Sequence, residues 1–171
     1  GKLIHHINSA IKRSEFQSEW CDLTTLIQEA RDNTDSSQTQ IQFQLSLDST
    51  LKERRIFIDG ILLSQVLSNI LANAVDELQE ASTPQPVIAL RCHYQDGNLH
   101  IHCSDNGRGI AEKHLESIFE PFYSTKEFGS GIGLPWVKST VETMGGTLNI
   151  NSQTQSPSGT HFTITVPVSV Q

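Results

Sequence analysis

"VIALRCHYQDGNLHIHCS", Val87–Ser104, holds two alternating runs on either side of Asp96-Gly97, a pair favoured in two-residue hairpin turns. Pairing outward from the turn sets Tyr94 opposite Leu99, Cys92 opposite Ile101 and Leu90 opposite Cys103. One face is then apolar throughout, while the other carries Arg91, His93, His100 and His102. A slip of one residue would turn every apolar side chain to the polar face, so the pattern specifies its own register. An antiparallel pair with one apolar face needs a partner layer to cover that face.

The flanking sequence supplies it. From Ile61 to about Gln79, Leu62, Val66, Leu67, Ile70, Leu71, Ala74, Val75 and Leu78 recur at helical spacing, and the prolines of "ASTPQP" end the run. "CDLTTLIQEARDN" predicts a shorter helix, with Asp22 as N-cap and Leu23, Leu26, Ile27 and Ala30 on one face. A third helix is expected from about Gly133 to Met144, and a further helix or helix end over residues 2–17. "IQFQLSLD" alternates as a strand with one buried face, "RIFID" is a short strand, and "GGTLNINSQ" and "GTHFTITVPV" form a closing pair. The stretch after "DNGRG" up to Ser130 reads as irregular. The expected class is α+β, a two-layer sandwich of a mixed, mostly antiparallel sheet on about three helices.

Bulk properties narrow the function. The chain has 171 residues, enough for one domain with a real core, or one domain plus a short extension. Its formal charge of −7 and sequence pI near 5.4 argue against nucleic acid and anionic membrane surfaces as main partners. Cys21, Cys92 and Cys103 are odd in number and form no CxxC, which points to a reducing compartment. No apolar run approaches a membrane span, and "GKLIHHINSA" does not read as a signal peptide. The opening glycine before a helix-like segment leads us to expect a piece of a longer chain.

Four stretches carry chemistry. In "SNILANAVDEL", Asn69 and Asn73 lie one turn apart on one helix face, continued by Asp76 and Glu77. Asparagine is a poor helix-interior residue, and its amide oxygen is a hard ligand suited to Mg²⁺; a solvated polar face is the competing reading. "DNGRGI" places Asp105 after a strand, beside Gly107 and Gly109. A carboxylate there can accept a hydrogen bond from an exocyclic amine such as adenine's, although an ordinary turn would look the same. "IFEPFYSTKEFG" sets Phe119 and Phe122 around Glu120-Pro121, with Lys126 following, as in a mobile lid whose aromatic anchors grip the core and whose lysine reaches a phosphate. "FGSGIGLPWVKST" has Gly129, Gly131 and Gly133 at alternate positions before a helix, where free N–H groups favour an anion. It is neither a Walker A loop nor a Rossmann fingerprint. On the hairpin's polar face, His93, His100 and His102 invite a metal such as zinc. No acidic or thiol ligand shares that face, since Cys92 and Cys103 point the other way, so an exposed polar face is favoured.

In this order and at these separations, the four stretches resemble the ATP-binding catalytic domain of sensor histidine kinases, in the Bergerat fold shared with gyrase B, Hsp90 and MutL. "NILANAVDEL" is similar to the N box, "DNGRGI" to the first glycine box, "IFEPFYSTK" to the F box and "GSGIGL" to the second glycine box. "SGTHFTITVPV" resembles the terminal strand motif, and the likeness covers roughly residues 20 to 168. It implies that residues 20–171 form the ATP-binding domain and residues 1–19 the tail of a preceding dimerisation helix. It further implies that Asn73 binds Mg²⁺ with Asn69 assisting, and that Asp105 bonds the adenine amine in a pocket shaped by Gly107, Gly109 and Ile110. Lys126 would contact phosphate, Gly129, Gly131, Ile132, Gly133 and Leu134 would form the lid hinge and phosphate-facing backbone, and Thr160 would support the base.

The departures are informative. Asp76 stands where many of these kinases carry a basic residue, so phosphate-binding charge is expected from Lys126 or Arg108. Pro135 after "GIGL" is similar to the mitochondrial protein kinases of the same superfamily and suits a first helical turn. His5-His6-Ile7-Asn8 lacks the acidic residue and proline of the family's phosphoacceptor motif, so the accepting histidine is expected upstream. Gyrase- and MutL-type ATPases place a water-activating glutamate where this chain has Asn69, and an amide cannot act as that base. The resemblance therefore implies γ-phosphoryl transfer from ATP to a histidine, with hydrolysis and a catalytically silent nucleotide-binding scaffold as alternatives. The implied partners are ATP, an upstream dimerisation and phosphotransfer domain, and a response regulator or receiver domain. A cytoplasmic, monomeric piece of a homodimeric protein is expected, and the resemblance implies that the full-length protein belongs with relatives that are mostly membrane-anchored dimers.

Overall fold

The computed structural model describes residues 16–34, 40–124 and 130–171. Strand β1 (Glu19–Asp22) leads into helix α1 (Leu23–Asp32), and the Asp22 carboxylate caps it by accepting the Thr25 N–H at 2.9 Å. Strands β2 (Gln42–Leu47) and β3 (Arg55–Ile58) precede the long helix α2 (Gly60–Glu80), capped by Asp59 through the Leu62 N–H at 3.1 Å. The hairpin is β4 (Val87–Gln95) and β5 (Asn98–Asp105), in the register read from the sequence, with Cys92 opposite Ile101 and Leu90 opposite Cys103. A one-turn helix α3 (Glu112–Leu115) and a 3-10 turn (Ser117–Phe119) follow. Helix α4 (Gly133–Thr143) and strands β6 (Thr147–Gln153), β7 (Gly159–Pro167) and β8 (Ser169–Val170) complete the described chain.

The larger sheet has five strands in the order β2-β4-β5-β7-β6, antiparallel except for the parallel β2–β4 edge. The smaller one is antiparallel, in the order β1-β3-β8. Ile88, Leu90 and Cys92, Leu99, Ile101 and Cys103, and Phe162, Ile164 and Val166 bring the inner face of β4, β5 and β7 into the core. Against it pack Leu63, Val66, Leu67, Ile70 and Leu71 from α2 and Val137 and Val141 from α4. Each such buried aliphatic side chain contributes about 1.5–3 kcal/mol, so the hairpin and α2 together account for much of what holds the layers. That places the end of β5 and the polar side of α2 in one corner.

Several expectations change. Of the helix expected over 2–17, residues 1–15 lie outside the described set, while Phe16 to Ser18 have no regular structure. Strand β1 then begins at Glu19 because its backbone pairs with β3, Cys21 opposite Ile56. Strand β2 has no well-buried face: Phe43 and Leu47 are half-buried and Leu45 is exposed, since the strand lies at the sheet edge. The stretch expected to be irregular contains α3 and the 3-10 turn, each too short to show a helical period.

Candidate functional site

A cavity of about 380 Å³ opens between α2, the end of β5, the start of β7 and the first turn of α4. Helix α2 presents Asn69, Asn73, Asp76 and Glu77 to it, because its other face is committed to the core. The Asn69 amide donates to the Gln65 carbonyl at 2.9 Å, one turn back. Its oxygen is directed at the start of α4, where a Cβ added to Gly133 would lie 3.1 Å away.

Beside the Glu77 end of α2, Asp105 ends β5: a Cβ added to Gly107 would lie 2.7 Å from Glu77 Cγ and 3.0 Å from Asp105 Oδ1. The same Oδ1 accepts N–H bonds from Gly107 at 2.9 Å and Thr160 at 3.3 Å, which fixes the carboxylate against the cavity. Thr160 is buried and also lines the cavity, with its hydroxyl 2.9 Å from that of Ser152. Ser152 Oγ donates to the Gly159 carbonyl at 2.9 Å and accepts the Ile110 N–H at 2.8 Å. Ser158 Oγ donates to the Gly107 carbonyl at 2.8 Å. Ser152 and Ser158 therefore pin the glycine turn to the β6–β7 pair, and the sequence alone singles out neither. Their positions among many polar residues of β6 and the following loop gave no signal. Gly109 is held at φ +75°, and a Cβ there would lie 2.1 Å from the Gln153 carbonyl oxygen, so only glycine fits. Ile110 lines the cavity; Gly107 and Gly109 stand behind that wall.

The phosphate-side expectations fare differently. Gly131, at φ +64°, lies against the backbone of Phe122, and a Cβ would come 2.4 Å from that residue's carbonyl carbon. The Phe122 N–H donates to the Gly131 carbonyl at 2.8 Å. This contact between two chain segments explains the glycine without any ligand. Gly131, Gly133 and Leu134 line the cavity, whereas Ile132 precedes α4 at its N-cap and is exposed. Pro135, in the first turn, is also at the wall, where its missing N–H removes nothing from the helix. Lys126 and Gly129 lie outside the described residues. Phe119 packs against the core with Lys138 Nζ 5.2 Å from its ring centroid. Phe122 is 64% exposed, so only one of the two expected aromatic anchors grips the core.

Charge at the site is lopsided. Among the described residues lining the cavity there are three carboxylates, Asp76, Glu77 and Asp105, and no lysine or arginine. Arg108, expected as a source of phosphate-binding charge, is instead bound to α2. Its Nε lies 2.8 Å from Glu77 Oε1, and one terminal nitrogen lies 3.0 Å from Glu77 Oε2 and 3.4 Å from Glu80 Oε2. The hydrogen bonds and charge of Glu77, then Glu80, hold the guanidinium further above its already high pKa. On the outer face of the sheet, His93 stacks on His100 with centroids 4.6 Å apart, and His102 Nδ1 lies 3.3 Å from His161 Nε2. No group of three or more His, Cys, Asp or Glu among the described residues is arranged to hold a metal ion. Desolvation first, then the charges of His161, His93, His100 and Arg91, push the His102 pKa down.

Residues 58–170 match the family described as histidine kinase-, DNA gyrase B-, and HSP90-like ATPase. The chain belongs to that family. Among relatives of this ATPase domain, the sensor histidine kinase ZraS of Escherichia coli K12 is 30% identical over 171 residues, covering 99% of this chain and 35% of the relative. The C4-dicarboxylate transport sensor protein DctS of Rhodobacter capsulatus is 30% identical, covering 98% of this chain and 25% of its own length. The chain thus spans about a third or less of these relatives. In structure, the domain is similar to the mycobacterial sensor histidine kinase MprB, with a TM-score of 0.75 at 25% identity over 90% of this chain and 99% of that one. Full-length ShkA in complex with AMPPNP gives a TM-score of 0.77 at 25% identity, over 92% of this chain and 32% of that one. The ATPase family and the sandwich architecture are therefore those expected from the ordered boxes. No helix among the described residues is long and apolar enough to cross a membrane.

Proposed function

We propose that this ATPase-family domain is the kinase domain of a two-component sensor protein, moving the γ-phosphoryl group of ATP to a histidine on a separate helical dimerisation domain. The observation that carries the reading is the pairing of two unlike walls in one cavity. One holds a rigid acceptor, Asp105, for an adenine amine; the other holds paired amides beside a helix N-terminus suited to phosphates. Thr160 steadies the base-side wall, with Ile110, Leu134 and Phe162 as its apolar lining. Gly107 and Gly109 shape the turn behind it, and the backbone from Gly131 to Leu134 faces the phosphates. Lys126 and Gly129 are assigned to the phosphate end by their place in the boxes.

The donor set fits Mg²⁺. Triphosphate is strongly anionic, the described lining has carboxylates and no cationic side chain, and Asn69 and Asn73 offer hard amide oxygens. Asn73 would hold the ion, with Asn69 assisting. Bound there, Mg²⁺ would neutralise phosphate charge, the main requirement of phosphoryl transfer beyond positioning. The chain's own work is to orient the base through Asp105, align the phosphates at α4 and keep the γ-phosphate facing outward. The accepting histidine and its general base belong to the partner domain, and a response regulator receives the group afterwards. Water attack is disfavoured, because position 69 carries an amide that donates to Gln65 rather than a carboxylate base.

The test is phosphotransfer in trans. Mixed with Mg²⁺, γ-labelled ATP and the dimerisation domain of the full-length protein, the chain should label a histidine in acid-labile form. Steady phosphate release with no labelled protein would favour the hydrolytic alternative.

A further inference from the structure

Arg108 and Glu77 form a clasp that the reaction as described leaves without a task. Glu77 lines the cavity, and its side chain is only 18% exposed. Three bonds from one residue reach it: the Arg108 backbone N–H at 3.1 Å, Nε at 2.8 Å, and a terminal nitrogen at 3.0 Å. The arginine side chain is 57% exposed and sits on the outer side of the carboxylate, where Glu80 shares it at 3.4 Å. Gly107 packs under the same carboxylate, since a Cβ there would lie 2.7 Å from Glu77 Cγ.

We infer that Arg108 is a positioning residue for nucleotide binding: it neutralises and turns aside the Glu77 carboxylate, so that the cavity accepts polyphosphate. This rests on the ATP reading above. A bidentate guanidinium–carboxylate pair fixes the acid in one plane, which a lysine at 108 would not do as well. Without Arg108, Glu77 would be a partly desolvated negative charge in a wall that already carries Asp76 and Asp105. Repulsion would then grow with the charge of the ligand, felt least by AMP and most by ATP. Arg108 itself is engaged on α2 and does not serve as the phosphate ligand.

Calorimetric titration of the chain with AMP, ADP and a non-hydrolysable ATP analogue tests this in four proteins: wild type, Arg108→Ala, Glu77→Gln and the double variant. Arg108→Ala is expected to weaken the ATP analogue about 10-fold and AMP about 2-fold or less, with the loss shrinking in high salt. Glu77→Gln should bind at least as well as wild type, and adding it to Arg108→Ala should restore binding to within about 2-fold. If Glu77→Gln and the double variant are as weak as Arg108→Ala, and all ligands suffer equally, the clasp is only a loop fastener and the charge assignment is overturned. Thermal melts of the four proteins separate this from misfolding. Should wild type bind none of the nucleotides, the ATP reading fails first and takes this assignment with it. Normal wild-type binding with no rescue defeats the assignment alone.

Discussion

The two ends of the cavity are built by different means. At the Asp105 end, which we propose takes the base, backbone and hydroxyls over-determine the geometry: Asp105 Oδ1 takes two N–H bonds, and Ser152 ties Thr160, Gly159 and Ile110 together. At the α4 end, which we propose takes the phosphates, one backbone contact joins Phe122 to Gly131, Phe122 is largely exposed, and Asn69 meets α4 across the space left by Gly133. The base end is part of the fold, tied by side-chain bonds to β7 and to the β6–β7 pair. The phosphate end is attached to the fold rather than made by it. Substitutions at the first should therefore cost stability as well as binding, and at the second mainly binding and turnover.

The largest expected effect breaks the base end. Gly109→Ala forces a side chain onto the Gln153 carbonyl and should lower stability by about 3–4 kcal/mol, read from urea unfolding. Gly133→Ala, whose Cβ would press only on the Asn69 amide, should change stability by less than about 1 kcal/mol while weakening Mg²⁺-dependent nucleotide binding. Equal losses at the two positions would erase the distinction.

Next comes Asp105→Asn. The amide keeps an oxygen for Gly107 and Thr160 but replaces a carboxylate acceptor with a donor toward the base. Nucleotide affinity should fall about 100-fold with the melting temperature nearly unchanged. Ser152→Ala should cost about 1–2 kcal/mol, because it leaves the Gly159 carbonyl and the Ile110 N–H without their partner. Its effect on affinity should be smaller than its effect on unfolding.

The smallest effect lies outside the cavity and serves as a control. The folded-state pKa of His102 is depressed below its ordinary value of 6.5, so the unfolded chain binds the proton more readily. Its neutral form stabilises the fold above about pH 6.5, and that contribution is lost as the pH falls from there toward the lowered value. Melting temperatures should drop between pH 7.5 and 5.5, and His102→Gln should flatten the slope without altering nucleotide affinity at pH 7.5. A matching change in affinity would mean that the outer sheet face communicates with the cavity.

The same contrast explains what could be read in advance. Hairpin register, α2 and the Asp22 cap follow from period and local chemistry, and the structure has all three, while the Asp59 cap of α2 is seen only in the fold. Strand β1 did not, because four residues with only Cys21 buried carry no readable alternation. Nor did the parallel β2–β4 edge, since strand direction across a sheet is a tertiary outcome. In the site, asparagines in a helix and glycines beside Asp105 stood out because they are costly there. Ser152 and Ser158 are ordinary residues for their elements, and only the folded contact gives them a task. Arg108 was visible as a charge, but its partner on α2 lies 31 positions away in the chain.

The most direct measurement is calorimetric titration of the wild-type chain with a non-hydrolysable ATP analogue, with Mg²⁺ and with EDTA, alongside Asn73→Ala and Asp105→Asn. The account predicts saturable binding that Mg²⁺ strengthens, loss of that Mg²⁺ advantage in Asn73→Ala, and loss of binding under both conditions in Asp105→Asn. Wild-type binding that is absent in both conditions, or that survives Asp105→Asn intact, would contradict it.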